Sequence, residues 1–94
     1  MIALTAKAES DLDSIFEHYQ LKAGSKTAFA MVQGILNSLE ILERFPGAGR
    51  PSPVPDVREL VLAHIPFIAP YRLIEGRVQV LRLLHQSSER PEQW

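Results

Sequence analysis

The stretch Phe45-Pro46-Gly47-Ala48-Gly49-Arg50-Pro51-Ser52-Pro53-Val54-Pro55 carries four prolines and two glycines in eleven residues. No helix can run through it, because a proline lacks the N–H that a helix interior needs and its ring clashes with the preceding turn. The segment is therefore a loop, and it divides the chain into two halves of different hydrophobic period.

Before the loop the period is helical. Ile2 to Leu4 is long enough for a brief strand, and Thr5 can cap a first helix. From Ala6 to Lys22 the apolar Ala8, Leu12, Ile15, Phe16 and Tyr19 recur at spacings of three and four, which makes one oily face. Glu9, Ser10, Asp13, Glu17 and His18 fall mainly elsewhere. Gly24 suits a helix end, and Ser25 can cap a second helix expected from about Lys26 to Arg44. Its stripe is Ala28, Val32, Ile35, Leu36, Leu39 and Leu42, widened by Phe29 and Ile41. The short link Ala23-Gly24-Ser25 folds such helices back as an antiparallel hairpin.

After the loop come three strand-like runs, Val57 to His64, Phe67 to Ile74 and Val78 to His85. Glu75-Gly76 is a tight turn that pairs the last two as a hairpin. Pro70 cannot donate a ladder hydrogen bond, so it marks an edge position or a bulge. The order is β-α-α-β-β-β. The expected fold is α+β, with the helix hairpin packed on one face of a mostly antiparallel four-stranded sheet. One domain over residues 1–94 is expected, with residues 87–94 as a tail. A domain of this size buries roughly 60–70% of its unfolded surface.

Composition narrows the chemistry. Without Cys there is neither a disulfide nor a thiolate, which is compatible with a reducing cytosol. Met1-Ile2-Ala3-Leu4 is too short for a signal peptide and acidic residues come at once after it. No apolar run approaches the roughly 20 residues of a membrane span, and no metal or cofactor is expected. The net charge of −1 gives no general attraction for nucleic acid. Residues 46–94 nevertheless hold six basic side chains, all Arg. Arg presents a planar fork of donors that matches a carboxylate or a phosphate.

Several pieces of this sequence, taken in order, resemble the RelE/ParE superfamily, the toxins of type II toxin–antitoxin modules. They are Thr5 to Ile15 with its Asp11-Leu12 pair, the loop Phe45 to Pro51, Val57-Arg58-Glu59-Leu60, Tyr71-Arg72, and the ending Val80-Leu81-Arg82-Leu83-Leu84-His85-Gln86-Ser87, all at the family's length. The resemblance covers nearly the whole chain and is nearer to the ParE-like branch. It implies a cytoplasmic growth inhibitor silenced by a cognate antitoxin, whose C-terminal segment wraps the toxin as a helix and an extended strand. It also implies that operator DNA is met only through the antitoxin. ParE-like members block DNA gyrase, whereas RelE-like members cut mRNA on the ribosome. A non-toxic remnant that only binds antitoxin is a third reading.

The branches make different chemical demands. Cleaving RNA requires activating a 2′-OH, stabilising a phosphorane and protonating a leaving oxygen. RelE-like nucleases meet these with clustered Lys and Arg and are strongly basic. With Tyr71 laid on the equivalent Tyr of that pattern, an expected arginine falls at Ala63. An expected basic residue falls near Ser87 or Ser88, and a terminal Tyr falls near Trp94, whose indole is no acid or base. The absent positive charge agrees. A minimal nuclease could still be drawn from Arg58, Arg72, Arg82 and His85. On the binding reading, Arg50, Arg58, Arg72, Arg82 and His85 orient an acidic partner or lock the strands. Arg82 would then be either paired with Glu59 or another acid, or open to an antitoxin carboxylate. Arg50 is expected to pin its loop, and Arg77 to be solvated charge. The apolar Ile68, Ile74, Leu81 and Leu83 exceed what two helices can cover, so Ile68, Leu81 and Leu83 are expected to line a partner groove.

Overall fold

The computed structural model describes residues 2–62 and 64–89. Strand β1 (Ala3–Leu4) leads into helix α1 (Ala6–Ala23), and helix α2 (Ser25–Leu39) returns alongside it. A short helix α3 (Ile41–Arg44) precedes the loop. Then come strands β2 (Arg50–Pro51), β3 (Arg58–Val61), β4 (Phe67–Ile74), β5 (Arg77–Val80) and β6 (Leu84–His85). The sheet order is β1-β5-β4-β3-β2, with β6 also on β4. Every pairing is antiparallel except β1 on β5.

The α+β class and the order of main elements agree with the sequence reading, but the sheet has six strands rather than four. The additions are the two-residue β2 and the division of the last run into β5 and β6. Pro70 explains the division. It lies in the middle of β4, where a residue's N–H and C=O point to one side of the strand. Its carbonyl accepts from Leu81 N–H at 2.8 Å, so its missing donor also faced the Leu81–Leu83 segment. A ladder cannot continue past a residue with no N–H, and residues 81–83 leave strand geometry there. The bulge expected at Pro70 is this interruption in its neighbour, and position 70 is interior, not an edge.

Thr5 caps α1, its Oγ1 accepting from Ala8 N–H at 3.1 Å and donating to Leu81 O at 2.7 Å. Ser25 is not the second cap. Gly24, with φ 90°, occupies that position, and Ser25 Oγ instead accepts from Gln20 Nε2 at 3.0 Å. The second helix does not run unbroken to Arg44. Glu40 N–H bonds Asn37 O, a tightening that separates α2 from α3. Leu39 and Leu42 are both buried across this break, but Phe29 and Ile41 are 66% and 47% exposed and do not widen the core stripe. Glu75 and Gly76 have φ of 51° and 76° and close the β4–β5 hairpin, the double left-handed turn that suits strand twist.

The core lies between the helix hairpin and one face of the sheet. Ile15, Ile35 and Leu39 meet Leu60, Tyr71 and Val80 there. On β4 the alternate residues Phe67, Ala69 and Tyr71 face the helices. No helix among the described residues is long and apolar enough to cross a membrane.

Candidate functional site

Tyr71 fixes the proline-rich loop to the sheet. Its hydroxyl donates to Pro46 O at 2.6 Å and accepts from Gly49 N–H at 2.8 Å. A Cβ on Gly49 would stand 2.5 Å from the Tyr71 ring and 3.0 Å from Glu59 O, so glycine is required there for closeness. Arg58 Nη1 then donates to Gly49 O at 2.9 Å. Arg50 Nε and Nη2 both reach Glu59 Oε1 at 3.2 Å. Glu59 is buried while the Arg50 side chain is 55% exposed. The loop role expected of Arg50 holds, but it is Arg50, not Arg82, that pairs with Glu59. Further along, Ser52 Oγ accepts from Val54 N–H, and Ser52 N–H bonds Val57 O, so the loop is a built wall.

That wall and the outer part of β4 enclose a groove of about 770 Å³. Val54 and Pro55 line one side, and Arg58, Arg72, Leu73 and Ile74 the other. Arg72 Nε donates to Gln79 Oε1 at 3.2 Å across the hairpin. Leu73 and Ile74 are 51% and 40% exposed. Two guanidiniums beside exposed apolar side chains can receive carboxylates and apolar groups carried on one extended segment.

Arg82 is held elsewhere. Its Nε and Nη2 grip Asp11 Oδ2 and Oδ1 at 2.7 and 3.0 Å, and Leu83 N–H bonds Asp11 Oδ2 at 2.9 Å. Donating hydrogen bonds to the Asp11 carboxylate raises the Arg82 pKa above its ordinary value, against a smaller opposing effect of burial. Thr5 Oγ1, donating to Leu81 O, supplies the donor that Pro70 lacks, and Asp11 gives the Leu83 N–H of the interrupted strand an acceptor. Val80, Leu81 and Leu83 are all buried, so buried and open positions do not alternate where the strand breaks.

The apolar groove expected at Ile68, Leu81 and Leu83 is not present as such. These residues are 0%, 3% and 3% exposed. Leu83 belongs to the helix-covered core, and the bulge turns it inward. Of the apolar residues expected to be in excess, only Ile74 is open.

His85 ends β6, opposite Phe67. Its Nδ1 accepts from Ser87 N–H at 3.2 Å and lies 2.8 Å from Ser87 Oγ. In the neutral ring, the proton then sits on Nε2. The nuclease candidates do not converge. Arg58 and Arg72 share the groove, Arg82 is bound to α1, and His85 is at the opposite end of β4. Phe67 and Arg72 are five residues apart on that strand, roughly 17 Å at ~3.3 Å per residue. Ser87 and Ser88 come after β6, in a turn. Ala63, Trp94 and most of the expected 87–94 tail lie outside the described residues.

Sequence reasoning missed Asp11, Gly49 and Tyr71 as organising residues. Asp11 carried a signal, being an acid on the same helical stripe as Ala8, Leu12 and Ile15, where a charge needs a partner.

The comparisons with known proteins agree with this fold. The family model of the ParE toxin of type II toxin-antitoxin system, parDE, matches residues 2–90. A Sinorhizobium fredii protein named "Putative toxin Y4kP" is 35% identical over 91 residues, covering 97% of this chain and 93% of that protein. A solved structure titled "Chromosomal ParDE TA system from P. aeruginosa" superposes with a TM-score of 0.85 at 41% identity. That match covers 89% of this chain and 92% of the other.

The chain belongs to the ParE toxin family.

It is thus a ParE-like toxin of the RelE/ParE superfamily, the toxin component of a type II toxin–antitoxin system. The ParE-like features are spread through the whole molecule. The Asp11-Leu12 pair, the loop and the Tyr71-Arg72 pair that suggested the superfamily are the residues that lock the toxin's bulge, wall and groove.

Proposed function

We propose that this ParE-like toxin acts by binding, with DNA gyrase as its target, and that it performs no RNA cleavage. One observation carries the reading: the basic side chains and the histidine that a nuclease would gather are dispersed. Arg82 is engaged by Asp11, His85 is bonded to Ser87, and Arg58 is bonded to Gly49 O. A phosphorane needs such groups preorganised around one phosphorus. The net charge of −1 gives little help in docking on ribosomal RNA.

A cognate antitoxin is the natural neutraliser of such a toxin, acting in the cytoplasm and carrying any contact with operator DNA. Its C-terminal segment is proposed to seat over the groove of Arg58, Arg72, Leu73 and Ile74, where charge and exposed apolar surface coincide. Arg50, 55% exposed at the loop, stands at the near end. Leu73 and Ile74 thereby replace Ile68, Leu81 and Leu83 as the apolar contacts.

The test is a gyrase supercoiling and cleavage assay with purified toxin, run beside translation on ribosomes. Inhibited supercoiling with trapped cleaved DNA and intact mRNA is expected. Cut mRNA with normal gyrase would overturn the proposal and return Arg58, Arg72, Arg82 and His85 to the catalytic list. No effect on either would leave an antitoxin-binding remnant.

A further inference from the structure

On the far side of the molecule from the groove's arginines, α1 and the β4–β6 pairing enclose a second cavity of about 430 Å³. From α1 come Ser14, His18 and Lys22 at four-residue steps, with Ile15 and Tyr19 beside them. From the sheet come Phe67 and His85. Four of these seven lining side chains are planar rings, and the charged one is a lysine. Ile15 and Phe67, each 7% exposed, form the floor.

The rings are arranged edge-on. Phe67 and His85 meet at 5.6 Å and 79°, and His18 and Tyr19 at 5.1 Å and 90°. Neither pair is closed as a parallel stack, so a further planar ring can lie against them. Lys22 has no hydrogen bond or ion pair among the described residues. The His85 Nδ1 is committed to Ser87, which leaves Nε2–H as the donor of the neutral ring. The nearest acid on this stripe of α1, Asp11, is already neutralised by Arg82. Among the described residues no carboxylate lines the cavity.

We infer that this cavity binds a mononucleotide, its base against the rings of His18, Tyr19 and His85 and its phosphate at Lys22 and the histidine N–H donors. The chemistry is that of a flat heteroaromatic body joined to a compact anion. Stacking on protein rings is sequence-tolerant, because every base has a π face. The volume lies in the range of roughly 300–1,000 Å³ typical of small-ligand sites. A free nucleotide and the phosphorylated end of a DNA strand offer the same chemistry.

The experiment is an amide chemical-shift titration of the full-length labelled toxin with adenosine 5′-monophosphate. Ribose 5-phosphate and adenosine serve as separate probes of the anion and the ring. Shifts confined to residues 14–22, 67 and 84–87 are expected with the nucleotide. They should be clearly weaker with either fragment, and affinity should fall about tenfold in Lys22→Gln and in His18→Ala. Lys26→Gln, on the other helix, should leave affinity unchanged. Binding of ribose 5-phosphate as tight as that of the nucleotide would overturn the base contact. Absence of shifts at millimolar nucleotide, or equal loss in Lys26→Gln, would overturn the site. Short oligonucleotides with a 5′-phosphate or a 5′-hydroxyl distinguish the sources. Preference for the phosphorylated strand over the free nucleotide assigns the site to a DNA end, and the reverse assigns it to a metabolite. Both outcomes support the inference, and both are independent of whether gyrase is the target.

Discussion

Single side chains hold the irregular parts of this molecule, and their removal is correspondingly local. The Tyr71 hydroxyl satisfies Gly49 N–H and Pro46 O at once. Tyr71→Phe is expected to cost about 2–3 kcal/mol in urea unfolding, because a buried donor and an acceptor lose their partner together. Gly49→Ala should cost at least as much by overpacking, since the new methyl would stand 2.5 Å from the Tyr71 ring. The Asp11–Arg82 bridge offers a second contrast. Asp11→Ala removes two guanidinium contacts and the acceptor of Leu83 N–H, for a loss of about 2 kcal/mol. Arg82→Ala should cost about 1 kcal/mol, and the exposed Arg77→Ala close to nothing. Equal, near-zero effects at positions 82 and 77 would refute a structural role for the bridge. The raised Arg82 pKa sets the pH dependence of the bridge on the cation side. A cation whose folded pKa is raised contributes fully below its unfolded pKa and loses that contribution only as pH rises through the folded value. The bridge should therefore contribute equally from about pH 6 to pH 9, which unfolding midpoints of wild type and Arg82→Ala across that window would check.

At the scale of elements, the unusual event is the break between β5 and β6. Three features converge on it: Pro70 withholds a donor, Asp11 supplies an acceptor, and Thr5 Oγ1 donates to Leu81 O. Thr5 thus joins the start of α1 to the bulge of the last strand. Thr5→Ala is expected to destabilise the protein by about 1–2 kcal/mol, the loss of a cap plus one side-chain hydrogen bond. Hydrogen exchange should show faster amides in the first turn of α1 and at Leu83. Acceleration confined to the helix would mean that the link to the strand carries no weight. Here the sequence was informative but incomplete. Pro70 announced a disturbed ladder, yet nothing in the local pattern said that the neighbouring strand would absorb it. For the same reason, counting apolar side chains in excess of what two helices can cover points Leu83 wrongly at a partner surface, when the broken strand places it in the core.

For the molecule as a whole, the contacts proposed with other proteins lie in the groove at the loop-side end of the sheet. Arg72→Glu is expected to weaken antitoxin binding about tenfold or more, through reversal of a charge that the partner's carboxylates would meet. Arg77→Ala should leave binding near wild type, and calorimetry with the cognate antitoxin would measure both. His85→Gln is expected to leave toxicity largely intact in an induction assay. Complete loss of toxicity in a stably folded His85→Gln variant would favour catalysis by that histidine.

What the sequence by itself determined is whatever depends on period and covalent chemistry. The two amphipathic helices, the proline-rich divider, the Glu75-Gly76 hairpin and the α+β class are written in neighbouring residues, and so is the resemblance that proved to be the ParE family. What only the tertiary structure decided is which charges meet. Asp11 and Arg82 are separated by 71 positions, and Gly49 and Tyr71 by 22, and no local rule pairs such residues. The same limit separated the exposed Leu73 and Ile74 from the buried Ile68 and Leu81. Burial is a property of what lies opposite in space, and a single proline in β4 was enough to change what lies opposite.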